Sequence, residues 1–238
     1  MSLITDHKVT YRSEAFISEV ATACRKLGTP PGSNYVNLQT ILDELQAHGV
    51  ESIYRIRGVA IKGTPTIEII DDDPHDFSAF VKFSPRLTLH VQRSIWSRYM
   101  EGQSAERVII AHEIGHIMLH SDEAKPFVGA ANPETKFIEE GHYAEWQADT
   151  FADHLLVPTE LAQRLDDPDK IAFAANVPER LAMRRLANVQ KIKKVLNLTS
   201  GEPCPGCGNF TLVESRNSRK CSLCGFSGLL RMLEHVPT

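Results

Sequence analysis

Val108-Ile109-Ile110-Ala111-His112-Glu113-Ile114-Gly115-His116-Ile117-Met118-Leu119 is the stretch on which the reading of this chain turns. Apolar residues surround its polar groups on nearly all sides, the pattern of a buried helix that carries only the polar side chains it needs. On such a helix residues four apart share a face, so His112 and His116 can grip one zinc ion. Glu113 then lies beside the open coordination position, where it can take a proton from water. A core helix with merely hydrogen-bonded histidines is the plainer reading. It would leave two histidines and a glutamate in an apolar setting without a cation, which is costly.

The third ligand must come from elsewhere. Seven and ten residues past His112 stand Leu119 and Asp122, which do not continue the metzincin pattern of glycine and histidine. His120 extends the 112-116-120 stripe, but a third turn lies too far along the axis to close a tetrahedral site. It reads as a helix C-terminal residue, favourable against the macrodipole. The better candidate lies in Glu139–Pro158, a helix ended by Pro158 with Ala144, Ala148, Phe151, Ala152 and Leu155 on its buried side. There Glu145 and Asp149 are four apart, as in thermolysin-like gluzincins. In that arrangement the Glu completes the zinc site and the Asp orients a ligand histidine. A solvated acidic face is the alternative for both.

His112-Glu113-Ile114-Gly115-His116-Ile117-Met118-Leu119-His120 and Glu145-Trp146-Gln147-Ala148-Asp149-Thr150-Phe151-Ala152-Asp153-His154-Leu155-Leu156-Val157-Pro158 together resemble the ImmA/IrrE family of metallopeptidases. That family pairs an HExxH helix ending in Leu-His with a second helix of the form E-x-x-A-x-x-F-A-x-x-L-L-x-P. Leu87-Thr88-Leu89-His90-Val91 resembles the strand before its active-site helix. The resemblance spans roughly residues 35 to 196. It departs from the commonest pattern in having Asp149 where Asn is frequent. It implies an α+β, gluzincin-like zincin core and a protein substrate, which in several bacterial or phage members is a helix-turn-helix repressor controlling stress-response or mobile-element genes.

The mechanism expected is that His112, His116 and Glu145 hold Zn²⁺ while Glu113 moves the proton from water to the leaving amine. Asp149 is expected to orient His112 or His116. An extra donor for the oxyanion is needed. His142, a helical turn before Glu145, can fill that role or can be an exposed helix-start histidine. Tyr143 points away and reads as packing.

A second metal site is written near the C-terminus as Cys204-Pro205-Gly206-Cys207 and Cys221-Ser222-Leu223-Cys224-Gly225. Two CxxC knuckles at this separation form a zinc-ribbon signature, a structural four-thiolate zinc. Phe210-Thr211-Leu212-Val213 and the approach through Arg219 and Lys220 suit a short hairpin between them. Disulfides are disfavoured, since the N-terminus does not resemble a secretion signal. So small a segment takes its folding energy from the metal. Arg216, Arg219 and Lys220 give it a modest positive edge, offset by Glu202 and Glu214. Nucleic-acid contact and protein contact both stay open.

The rest of the chain bounds the answer. At 238 residues it accommodates an ordinary domain plus a small appendage. The expected division is 1–198 for the metallopeptidase domain (helical part about 1–50, zincin core about 51–198) and 199–238 for the ribbon. With 42% hydrophobic and 24% charged residues it reads as a soluble globular protein, and a net charge of −4 gives no global bias toward nucleic acid. No membrane contact and a cytoplasmic location are expected. Cys24 reads as a buried small residue.

Helices are expected at Ser13–Leu27 and Leu38–His48, with Gly49 as C-cap, then strands at Ser52–Ile61, Thr66–Ile70, Ala79–Phe83 and Leu87–Val91. Asp71–Asp76 reads as a solvated acidic loop. Short helices follow at Thr159–Leu165 and Ile171–Ala175. Pro178–Leu196 is a longer helix carrying Arg180, Arg184, Arg185, Lys191, Lys193 and Lys194, read as a solvated amphipathic face or a docking surface. The function expected is zinc-dependent cleavage of a specific protein. A regulator that binds nucleic acid or protein through the ribbon, or acts by sequestration without proteolysis, is the alternative.

Overall fold

The apolar spacing after Ser13 builds helix α1 (Glu14–Gly28), with Ile17, Val20, Ala21 and Cys24 buried along one stripe. Ser13 caps it by accepting from the Phe16 amide at 3.3 Å. Helix α2 (Leu38–His48) begins where the Asn37 side chain accepts from the amides of Gln39 and Thr40, and ends at Gly49, whose φ of 74° needs a glycine. These elements come from a computed structural model of the protein, which describes residues 9–53, 63–75, 77–121 and 140–197, with 204, 207, 209, 212–215, 218–225 and 227–229. The chain divides into two compact units, Met1–Arg185 and Leu186–Thr238.

In the first unit, strands β1 (Thr66–Ile70), β2 (Ala79–Lys82) and β3 (Thr88–Gln92) form a sheet of order β1-β3-β2, with β3 parallel to β1 and antiparallel to β2. Leu89 and Val91 alternate into the core. The strand expected at Ser52–Ile61 does not begin as one, because Val50–Ser52 is a single 3₁₀ turn; residues 54–61 lie outside the described ones. β3 leads directly into α3 (Arg93–Met100), which the sequence reading did not anticipate. Its N-terminus takes no side chain of its own as cap. Instead Asp72 reaches back from the acidic loop to accept from the Ser94 amide at 2.9 Å, a bond that holds its carboxyl below the usual range. The loop is therefore a helix cap as well as a solvated segment.

Helices α4 (Ser104–His120) and α5 (Ala144–Leu156) carry the two motifs. α4 is buried on almost every side, and α5 packs against both α4 and α1. Gly115 permits the close approach, since a β-carbon there would stand 3.1 Å from the Cα and carbonyl oxygen of Ala148.

α6 (Thr159–Leu165), α7 (Pro168–Ala175) and α8 (Glu179–Asn197) follow. The basic face read on α8 is partly internal. Arg185 is 2% exposed and donates to the Val157 carbonyl at 3.0 Å, while Arg25 of α1 donates to the Leu155 carbonyl at 2.6 Å. Two guanidiniums thus satisfy carbonyls at the C-terminal end of α5 and complement its dipole. Arg184 pairs with Asp153 through both carboxylate oxygens.

In the second unit β4 (Leu212–Ser215), β5 (Ser218–Cys221) and β6 (Ser227–Leu229) form an antiparallel sheet in that order. Among the described residues there, Cys204, Leu212 and Cys221 form a buried cluster.

Candidate metal centre

The burial of α4 leaves few places for its polar groups, and α5 supplies them. His112 Nε2 and His116 Nε2 lie 3.0 Å apart. The Glu145 carboxylate faces both, with Oε2 3.2 Å from His112 Nε2 and Oε1 3.5 Å from His116 Nε2. Behind the site, His112 Nδ1 lies 2.8 Å from Asp149 Oδ1. A carboxylate only accepts, so His112 Nδ1 carries the proton and Nε2 presents a lone pair.

Lone pairs of two imidazoles and a carboxylate brought this close repel unless positive charge lies among them. Without metal, that charge is a proton. Burial opposes it, yet Asp149 and Glu145 outweigh burial and raise His112 to about 10. Glu145, bonded to both imidazoles, is held far below the usual carboxylate range. A divalent cation meets the same need better. Tetrahedral zinc with bonds of about 2.0–2.1 Å sets its donors roughly 3.4 Å apart, close to the separations here. Two nitrogens and a carboxylate are a zinc donor set. The residues fit the group.

Glu113 is 6% exposed, and burial raises its pKa, with His116 and His112 pulling the other way. The site is accessible from the Glu145 side, that side chain being 38% exposed.

His120 is the last residue of α4, as expected, but it is 1% exposed and carries no charge to set against the helix dipole. Its Nδ1 lies 3.1 Å from His116 Nδ1 and its Nε2 3.0 Å from Gln147 Oε1. Burial foremost, with His116 beside it, pushes its pKa down to about 3, so it is neutral. Gln147 was not singled out at all, although it lies between Glu145 and Asp149 on α5. The 112-116-120 stripe was the one sequence signal for this arrangement.

His142 ends a 3₁₀ turn at Glu140–His142, with Nδ1 3.2 Å from the Val9 carbonyl oxygen and its ring centroid 5.2 Å from that of Tyr11. A carbonyl accepts, so neutral His142 carries its proton on Nδ1 and can donate from Nε2 only as imidazolium. Tyr143 is half-buried as the N-cap residue of α5.

The four cysteines also converge. Cys204 Sγ and Cys224 Sγ are 3.7 Å apart, as are those of Cys207 and Cys221, and the four sulfurs lie within 4.8 Å of one another. Tetrahedral zinc with Zn–S near 2.3 Å sets sulfurs about 3.8 Å apart, so this cluster could form a zinc ribbon.

No curated protein matches the chain. Residues 82–186, from the end of β2 through α4 and α5 into α8, match the IrrE N-terminal-like domain. That match takes in both helical motifs, so over those residues the chain is similar to the metallopeptidase family that the motifs resemble.

Proposed function

We propose that this protein is a zinc-dependent endopeptidase in which His112, His116 and Glu145 hold the catalytic metal. The observation that carries the reading is the convergence of two imidazole lone pairs and both Glu145 oxygens within 3.5 Å, one helical position from a buried Glu113. Zinc bound there would polarise the scissile carbonyl and acidify water near neutrality.

Glu113 takes the proton from the attacking water and returns it to the leaving nitrogen. Its burial suits that task, because a carboxyl raised toward the working pH exchanges a proton more readily than one held low. Asp149 keeps His112 in the tautomer whose Nε2 faces the site. His142 joins as an oxyanion donor only in its protonated form. From about residue 199 the four cysteines hold a second, structural zinc.

The substrate is a protein, and the resemblance supports a helix-turn-helix repressor in stress-response or mobile-element control. The test is to incubate the zinc-loaded chain with the repressor encoded nearest its own gene and to read fragments by mass spectrometry. Cleavage by the wild type and none by Glu113→Gln, with two zinc ions in each, is expected. Cleavage by Glu113→Gln would remove Glu113 from the chemistry. Tight binding without cleavage, equal in both proteins, would favour a regulator acting through the ribbon.

A further inference from the structure

We propose that His120 and Gln147 are positioning residues for His116, an inference that rests on His116 being a metal ligand. They transmit a fixed hydrogen-bond direction from the backbone of the N-terminal segment, and this leaves Nε2 of His116 bare at the metal.

The direction can be worked out from one end. Gln147 is fully buried, and its Nε2 lies 2.8 Å from the Thr10 carbonyl oxygen and 2.7 Å from that of Gly141. Both partners only accept, so the amide nitrogen must face them and the orientation of Gln147 is determined. Its Oε1 therefore faces His120 Nε2, and an amide oxygen has no proton to give. His120 must donate from Nε2. A neutral imidazole that donates from Nε2 has a bare Nδ1. That bare nitrogen meets His116 Nδ1 at 3.1 Å, so the proton between them belongs to His116. His116 is thereby the Nδ1–H tautomer.

The two ligand histidines reach the same tautomer by different means. His112 uses a carboxylate, Asp149, that is 63% exposed and keeps its charge in contact with water. His116 Nδ1 faces the buried His120, and a carboxylate placed there would be a desolvated anion. A neutral His-Gln chain orients the ring there without that charge. The chain is anchored by the segment Val9–Arg12, whose amides at Val9 and Arg12 donate to the carbonyls of His142 and Gly141 at 2.8 and 3.0 Å. The seating needs a glycine, because a β-carbon at Gly141 would stand 2.6 Å from the Tyr11 ring and 2.9 Å from the Arg12 carbonyl. Residues more than a hundred positions upstream thus help to set the protonation of a metal ligand.

Two measurements on the full chain test this. Nitrogen-15 NMR of the histidine rings in the wild type should find His120 protonated on Nε2; protonation on Nδ1 would overturn the proposal, whatever any variant does. In chelator competition, His120→Ala and Gln147→Leu should lose about 10–100-fold in affinity for one of the two zinc ions while the four-cysteine zinc is held as before. His120→Gln, whose amide oxygen can accept from His116 Nδ1, should recover most of that loss. A folded His120→Ala that keeps its site zinc within about twofold of wild type would show a packing role only. A wild type that takes up zinc at the cysteines alone would instead sink the metal-centre reading, a result distinguishable from either of these.

Discussion

Gly115 of α4 lies so close to Ala148 of α5 that a β-carbon there would press on the Ala148 backbone, and this approach brings Glu145 and Asp149 to the two histidines. Gly115→Ala sets two effects against each other. The helix gains about 1 kcal/mol from losing an interior glycine. The new β-carbon stands 3.1 Å from Ala148 Cα and O, and overpacking of this kind costs about 1–3 kcal/mol. A net loss of roughly 0–2 kcal/mol follows, together with weaker binding of the site zinc as α5 shifts outward. Urea unfolding and chelator competition check it; an unshifted zinc affinity would mean that the contact does not set the site.

Asp149 should matter to the metal more than to the fold. Its side chain is largely exposed and its bond to His112 is the interaction it makes toward the site. Asp149→Ala is expected to weaken zinc about 10–100-fold with little change in unfolding midpoint. Asp149→Asn, which keeps an acceptor oxygen, should lose less. Equal losses in the two variants would assign the effect to charge rather than to orientation.

Much of this was legible in the sequence because its signals are local. α2 matches its expected bounds because Asn37 and Gly49 are caps that act over a few residues. The convergence of His112 and His116 was legible because an i, i+4 spacing on a helix dictates a shared face. What escaped was fixed by distant partners. Gln147 is defined by the carbonyls of Thr10 and Gly141, and Arg185 by the Val157 carbonyl; no pattern along the chain announces a side chain that bonds backbone elsewhere. α3 escaped because its cap, Asp72, stands 22 residues before the amide it serves.

The two cations Arg180 and Arg185 of α8 should behave differently. Arg185 is buried, and besides Val157 it donates to His154 Nδ1 at 3.2 Å. Arg185→Ala leaves a buried carbonyl and an imidazole nitrogen unpaired, at about 1–3 kcal/mol each. Arg180 is exposed, and Arg180→Ala should fall within about 0.5 kcal/mol of wild type. Similar losses from thermal or urea unfolding of the two variants would remove the distinction.

Glu14 gives a pH signature. It accepts from His154 Nε2 at 3.0 Å, and that bond above all lowers its pKa from the ordinary 4.5. A depressed carboxyl stabilises the folded state above its unfolded pKa, and the contribution is lost as pH falls through the folded value. The side chain is 48% exposed, so the effect is modest. Glu14→Gln should cost roughly 0.5–1 kcal/mol at pH 7, and the gap to wild type should close as the pH falls below the ordinary glutamate range. A gap that widens on acidification would reverse the sign of the coupling.

Metal removal should separate the two proposed zinc sites by what each contributes to folding. Among the described residues from 204 onward, Cys204, Leu212 and Cys221 form the buried cluster, too small an apolar core to hold that segment folded by itself. The core around α4 and α5 holds Ile110, Ile114, Ile117, Phe151 and Leu155, all fully buried, and does not need the metal to stay collapsed. A strong chelator should therefore strip two zinc ions per chain. Limited proteolysis of the metal-free chain should then cut within 199–238 while a fragment containing both motif helices resists. Cys221→Ser should show the same cuts with one zinc still bound. If the chelated chain resists cleavage throughout 199–238, the folding energy of the ribbon does not come from its metal.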